Sequence, residues 1–348
     1  MSLEAWRQLA LEAPRAWGPP QASGVLRAVP EDFLVEEDLG FAPDGDGAHV
    51  LLKVRKRDAN TGWVAQELAA ALGCAVRDVG FAGLKDRHAL AIQWFSLPAT
   101  PRCLSQAAGL QHPEFAVLEV HRHRRKLPRG ALAGNFFTVR IRDYSGSSEQ
   151  LRERCELLAR AGVPNYFGPQ RFGRNAANLA RLLALSGADS APRRGGRPDS
   201  FVLSAARSLI FNAVLGERVR QHSWNQLAVG DVANLDGRGS VFDVTELSAD
   251  LPERLAQLEI HPTGPMWGAG ELLARGGTLA LEQGIAAQLP QACEYTIAAG
   301  VRQERRSLRL TVRDLRWEHQ AGDAVLRFWL RSGSFATAVI REIVAADD

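Results

Sequence analysis

The chain has 348 residues, 46% hydrophobic and 23% charged, a globular composition with material for one large core or two ordinary ones. No stretch approaches ~18 consecutive apolar residues, and the first fifteen residues mix Glu4, Arg7, Glu12 and Arg15 with apolar ones, so neither a membrane-spanning helix nor a secretory leader is expected, and a cytoplasmic protein without membrane contact is. A formal net charge of +3 is too mild to identify a nucleic-acid partner by itself.

In chain order, Val50, Leu52 and Val54 alternate with Leu51, Lys53 and Arg55, the pattern of a half-buried strand. Asn60 and Thr61 then open a helix carrying Val64, Leu68 and Leu72, which ends at Gly73. Next comes Gly-Phe-Ala-Gly-Leu-Lys-Asp-Arg-His-Ala at 80–89. Two glycines there release the backbone from the limits a Cβ imposes, and Lys85, Arg87 and His88 surround one carboxylate, Asp86. Neighbouring cations favour an ionised acid, so the segment reads either as a charged surface turn or as a turn presenting a nucleophile. Leu90, Ile92 and Trp94 continue as a strand, which places Asp86 on a loop just before a rigid element.

A further strand, 135–142, sets Asn135, Phe137, Val139 and Ile141 on one face. Helical texture follows: Glu149 to Ala161 with Gly162 behind it, Asn175 to Leu185, and Phe201 to Gln221. Gly187 to Ser200 reads as an exposed linker, and Val229 to Val244, around Asp236-Gly237, as a hairpin. Leu326, Phe328 and Leu330 mark a late strand, and Gly333-Ser334 leads into a helix bearing Phe335, Val339 and Ile343. Strand texture at both ends of a helical middle predicts an inserted domain.

Charge is unevenly spread. Residues 121–129 hold five permanent cations, Arg122, Arg124, Arg125, Lys126 and Arg129, and Arg302, Arg305, Arg306 and Arg309 form a second basic group; both are expected to contact phosphates. Cys74, Cys103, Cys155 and Cys293 show no CxxC spacing, so no metal site and no disulfide is expected.

Five segments, Arg27–Glu37, Gly83–Ala89, Gly134–Phe137, Asn165–Gly173 and Gly333–Thr337, in this order, closely resemble the TruD family of tRNA pseudouridine synthases. The resemblance implies an α/β (α+β) fold: a pseudouridine-synthase catalytic domain with a mixed, largely antiparallel sheet (1–160 and 310–348) and an inserted family-specific TRUD domain (161–309). It implies isomerisation of uridine 13 in the D-arm of tRNA, notably a glutamate-accepting one, with no cofactor and no obligatory protein partner. Asp86 then matches the catalytic aspartate, and Arg27 a basic residue that pairs with it. Phe137 matches an aromatic that stacks on the target base, Asn135 a substrate-contacting amide, and Phe33 and Phe335 aromatic substrate contacts. Arg122, Arg124, Arg125 and Lys126 are candidates for the RNA backbone. Rival readings are a non-catalytic RNA-binding or RNA-folding protein on the same scaffold, which has no need of Asp86, and a nucleoside hydrolase or glycosylase, which releases free uracil.

Overall fold

The period-two stretches assemble into a ten-stranded sheet in the computed structural model, which describes residues 2–185 and 198–345. Its longer strands are β1 (Phe33–Asp38), β2 (His49–Arg57), β3 (Leu90–Pro98), β4 (Phe115–His123), β5 (Gly134–Arg142), β6 (Arg313–Gln320) and β7 (Asp323–Arg331). They lie side by side in the order β6-β7-β5-β1-β3-β2-β4. Within that order β1 and β3 run parallel, with Leu34 opposite Leu90, and the other neighbours are antiparallel. This is the mixed, largely antiparallel sheet expected.

The helix Thr61–Leu72 covers one face: its Val64, Leu68 and Leu72 share a core with Val50, Leu52 and Val54 of β2 and with Phe95 and Leu97 of β3. Each such fully buried side chain contributes roughly 2 kcal/mol of apolar burial. The helix stops at Gly73, whose φ of 70° is the left-handed conformation that a C-terminal glycine supplies without strain. β2 is half-buried as expected along its second part, where Arg55 and Arg57 are exposed, but Leu51, on the same face, packs with Leu39, Trp94 and Leu127 and is buried.

The chain divides into two units. The sheet-bearing unit comprises Gln21–Glu156, Val312–Gly333 and Ile343–Asp348; the helical unit comprises Met1–Pro20, Leu157–Thr311 and Ser334–Glu342. The sequence-based division at 160/161 and 309/310 groups the terminal pieces differently. Trp6 and Ala10 of the first helix, Leu3–Leu11, are buried in one cluster with Phe172, Leu179 and Leu209, which explains why the first twenty residues go with the helical unit.

In the helical unit, Ser200–Arg220 is the long central helix, capped by Asp199, whose carboxylate accepts the Phe201 and Val202 amides. A four-stranded sheet in this unit contains the predicted hairpin, as Val232–Leu235 and Val241–Asp243. The late helix is shorter than its apolar spacing implied: it spans Ala336–Ile340, with Phe335 as its N-cap and Ile343 beyond its end. The linker reading falls largely on 187–197, outside the described residues. Among the described residues no helix is long and apolar enough to cross a membrane. The four cysteines are free thiols, and burial pushes Cys103 up to about 11 and Cys155 and Cys293 up to about 12.

Candidate active site

Asp86 lies on the turn between the short strand Gly80–Phe81 and β3. Its Oδ1 accepts the His88 amide at 3.2 Å, and its Oδ2 stands 3.4 Å from the Arg27 guanidinium, both side chains being 29% exposed. The carboxylate is therefore oriented on one side and open on another. Arg27 takes a φ of 54°, a left-handed conformation that costs an ordinary residue roughly 1–2 kcal/mol. Its guanidinium also lies over the Phe33 ring at 4.4 Å, so the ion pair and the ring contact together hold a backbone that is unfavourable alone.

The turn is locked from inside. Lys56, fully buried on β2, donates to the backbone carbonyls of Ala59 at 2.7 Å and of Asp86 itself at 3.0 Å. Burial lowers its ammonium to about 8, although the Asp86 charge pulls the other way. Lys85 turns inward to pair with the buried carboxylate of Glu37 at 2.7 Å, rather than tuning Asp86 or reaching phosphate. Burial pushes the Glu37 carboxyl above its usual range against the pull of Lys85 and of the Trp94 amide, which it accepts at 2.8 Å. The Thr61 hydroxyl accepts the Lys85 amide and donates to Gln93, whose amide in turn donates to the Gly83 carbonyl at 2.7 Å. Arg87 and His88 face Asp58 at the surface.

The role read for the glycines changes accordingly. Neither Gly80 nor Gly83 has a positive φ. A Cβ at Gly80 would meet the Ser96 hydroxyl at 2.4 Å and the Leu127 carbonyl at 2.6 Å, so this glycine serves a close approach, while around Gly83 a Cβ meets open space.

From Arg27 and Phe33 the contacts run on to Phe137, whose ring meets Phe33 edge-on at 6.0 Å and stacks on Phe328 at 5.5 Å. β1 and β5 pair with Val35 opposite Phe137 and Glu37 opposite Asn135, which is why the two motifs meet. Phe33, Phe137 and Asn135 are all buried, and the Asn135 Oδ1 has no hydrogen-bond donor among the described residues. A buried amide oxygen without a donor is costly and calls for an explanation. Asp86, Arg27, Phe33, Phe137 and Asn135 thus belong to one unit. Phe335 belongs to the helical unit, where its ring meets Phe167 at 6.0 Å and the Arg171 guanidinium at 5.5 Å.

Sequence reasoning passed over Lys56 and Glu37. Both carried a signal: each continues the buried face of its strand, Glu37 after Phe33 and Val35, Lys56 after Val50, Leu52 and Val54. A charge on an apolar face must have a partner.

The two basic groups part company. Arg124 and Arg125 are exposed; Arg124 holds Asp46 in a two-pronged contact at 2.8 and 3.2 Å, and Arg125 has no acidic partner among the described residues. The Arg122 guanidinium is tied to the Gly47 carbonyl, and Lys126 donates to the Arg77 carbonyl at 2.6 Å. Three members of the second group point inward, against expectation. Arg305 pairs with buried Glu282 at 2.8 and 2.9 Å, Arg306 lies over Phe167 and donates to Asn165, and Arg309 donates to His261 and to the Leu255 and Ile260 carbonyls. Burial lowers Arg306 and Arg309 to about 10.

The profile of the family described as tRNA pseudouridine synthase D (TruD) matches residues 15–182 and 199–343. The chain belongs to the TruD family. It is 43% identical over 337 residues to the tRNA pseudouridine synthase D of Methylococcus capsulatus, covering 97% of this chain and 95% of that one. The Pseudomonas fluorescens tRNA pseudouridine synthase D is 40% identical over 339 residues, covering 97% and 96%. The crystal structure of a Methanosarcina mazei protein, a candidate tRNA pseudouridine synthase D, superposes with a TM-score of 0.72 at 22% identity, covering 99% of this chain and 98% of that one, and shares the TruD fold. The chain is thus an enzyme of the pseudouridine-synthase class, an isomerase.

Proposed function

We propose that this chain converts uridine 13 in the D-arm of tRNA, notably a glutamate-accepting tRNA, to pseudouridine, with Asp86 as the catalytic carboxylate. The observation that carries the reading is a partly exposed carboxylate paired with one guanidinium, on a turn that Lys56 and Gln93 hold by its carbonyls and Glu37 by the Lys85 ammonium. Such support fixes a reacting group before substrate arrives.

The reaction breaks the bond between N1 and the ribose C1′, turns the uracil, and joins C5 to the same carbon; C5 loses a proton and N1 gains one. It is intramolecular and redox-neutral. The carboxylate acts by taking a proton from the sugar, by attacking C1′, or by adding to C6, and each route needs it ionised beside the nucleotide. Arg27 positions it. Phe137 has no hydroxyl and serves as a platform, not as an acid or base. The Asn135 Oδ1 is an acceptor for the uracil N3–H or a ribose hydroxyl. A stacked target base must leave its stack first, at a cost of a few kcal/mol, which contacts to the surrounding RNA offset.

Carbodiimide modification and primer extension on tRNA incubated with the enzyme test the assignment. The parent protein should give one new stop in the D-arm, and Asp86→Asn none, with tRNA affinity kept within a few fold. A stop that persists with Asp86→Asn removes Asp86 from the chemistry, and free uracil as product makes the chain a glycosylase.

A further inference from the structure

Beside the Asp86 turn the sheet-bearing unit carries a cleft of about 640 Å³ whose lining includes Arg77, Lys126, Arg129, Phe81, Val76 and Pro128 and contains no carboxylate. We propose that this cleft is an RNA subsite, which takes a nucleotide of the substrate other than the one being isomerised. The proposal rests on tRNA being the substrate.

Charge and shape both point to a nucleotide. Three cations converge on one cleft, and Asp78, the acid adjacent to Arg77 in the chain, is not among the lining residues. The volume lies within the range of roughly 300–1,000 Å³ usual for sites that hold a small organic group. Arg129 is exposed, and its guanidinium lies over the Phe81 ring at 3.7 Å, while Phe81 is itself backed by Phe95 at 5.8 Å. A guanidinium is a planar group, and RNA bases stack on guanidinium planes as they do on aromatic rings. Val76, half exposed although apolar, adds a surface for a base, and Arg77 and Lys126 supply charge for the adjoining phosphates.

The cleft shares its backbone with the catalytic turn. The Gly130 amide donates to the Ala82 carbonyl at 2.7 Å, the Leu127 amide donates to the Ser96 hydroxyl at 2.8 Å, and Gly80 lets the 126–127 backbone close onto this strand. A nucleotide held there is therefore held at a fixed offset from Asp86, so the cleft sets register as well as affinity.

Binding of a tRNA substrate to the full chain, measured across a salt series, tests this. Arg77→Ala combined with Arg129→Ala should raise Kd roughly tenfold near 0.15 M salt and flatten the log–log salt slope by about 1.4–1.8, the loss of two cations that displace counterions from the RNA. Turnover at saturating tRNA should also fall by a few fold, because the nucleotide held in the cleft fixes the offset from Asp86. Arg129→Lys should regain the slope but not the full affinity, because an ammonium keeps the charge and loses the plane. A double variant with the parent's Kd and slope overturns the subsite, and an Arg129→Lys protein that binds as the parent does overturns the base platform. A parent protein that forms no pseudouridine in tRNA overturns instead the function on which the proposal rests.

Discussion

Residues 121–129 and 302–309 are two arginine-rich stretches, alike as text and opposite as structure. In the first, Arg124 and Arg125 stand in solvent, and the acids that Arg124 meets, Asp46 through its guanidinium and Asp44 through its backbone amide, are themselves exposed. In the second, Arg305 and Arg309 are enclosed, and their guanidiniums donate to a carboxylate, a hydroxyl, a ring nitrogen and backbone carbonyls. The difference is one of neighbours. The strand Glu304–Ser307 pairs along Ile260–Met266, and this puts Arg305 beside Thr263 and within reach of Glu282, whereas the end of β4 runs out of the sheet into a loop. Charge density in a sequence marks cations; only the partners across a strand say whether a cation is a surface or a strut.

The same contrast recurs within one strand. Lys53 and Lys56 both lie on β2. Lys53 bridges Glu36 and Glu119 at 2.8 and 3.1 Å, and although partial burial works to lower its ammonium, those two carboxylates outweigh it and hold the pKa above the usual range. Lys56 has only carbonyls to hold and is lowered to about 8 by burial.

Breaking a strut should cost most. Arg305→Ala leaves Glu282 charged and enclosed, and should lower stability by about 3–5 kcal/mol in urea unfolding. A loss under 1 kcal/mol would mean that the pair is hydrated and the contrast with the 121–129 run is false. Lys56→Met strands the Ala59 and Asp86 carbonyls and should cost about 2 kcal/mol near neutrality, with a fall in turnover as the turn loosens. Its pH dependence sharpens the test. With a folded pKa near 8 against 10.5 for a free lysine, the unfolded chain binds more protons between those values, so the parent gains stability as pH rises through the window and the variant lacks that gain. A mutational cost that stays constant from pH 8 to 10 would show Lys56 to be unperturbed. Smallest in stability, under about 1 kcal/mol, should be neutralisation of Arg124, Arg125 and Lys126. Its effect should instead appear in tRNA binding, as a flatter salt dependence to which Arg125 contributes more than Arg124, which Asp46 already occupies.

Much of the candidate site was legible in advance. Asp86 was marked by two glycines and three cations around one carboxylate just before a strand, Asn135 by being an amide on the apolar face of a strand that continues with Phe137, Val139 and Ile141, and Arg27 and Phe33 by the segment that resembles the family. What supports Asp86 was less legible, because Lys56, Glu37, Thr61 and Gln93 come from separated segments and meet only when β1, β2 and β3 align. Gly80 shows the same limit: its place in a turn was visible, but its reason, the approach of Ser96 and Leu127, lies in residues far along the chain.

By itself, then, the amino-acid order marked β2, β3, β5 and β7 and the helices Thr61–Leu72 and Ser200–Arg220, because period-two and period-3.6 apolar patterns and glycine stops act over a few residues, while β1, β4 and β6 and the helix Leu3–Leu11 were not read from it. It also determined the family, through motifs that keep their order along the chain. The tertiary structure alone decided which cations are buried, which glycine is needed for space, and that Lys85 turns away from Asp86. Those outcomes depend on desolvation and on partners brought together across the sheet, and neither exists until the strands have paired.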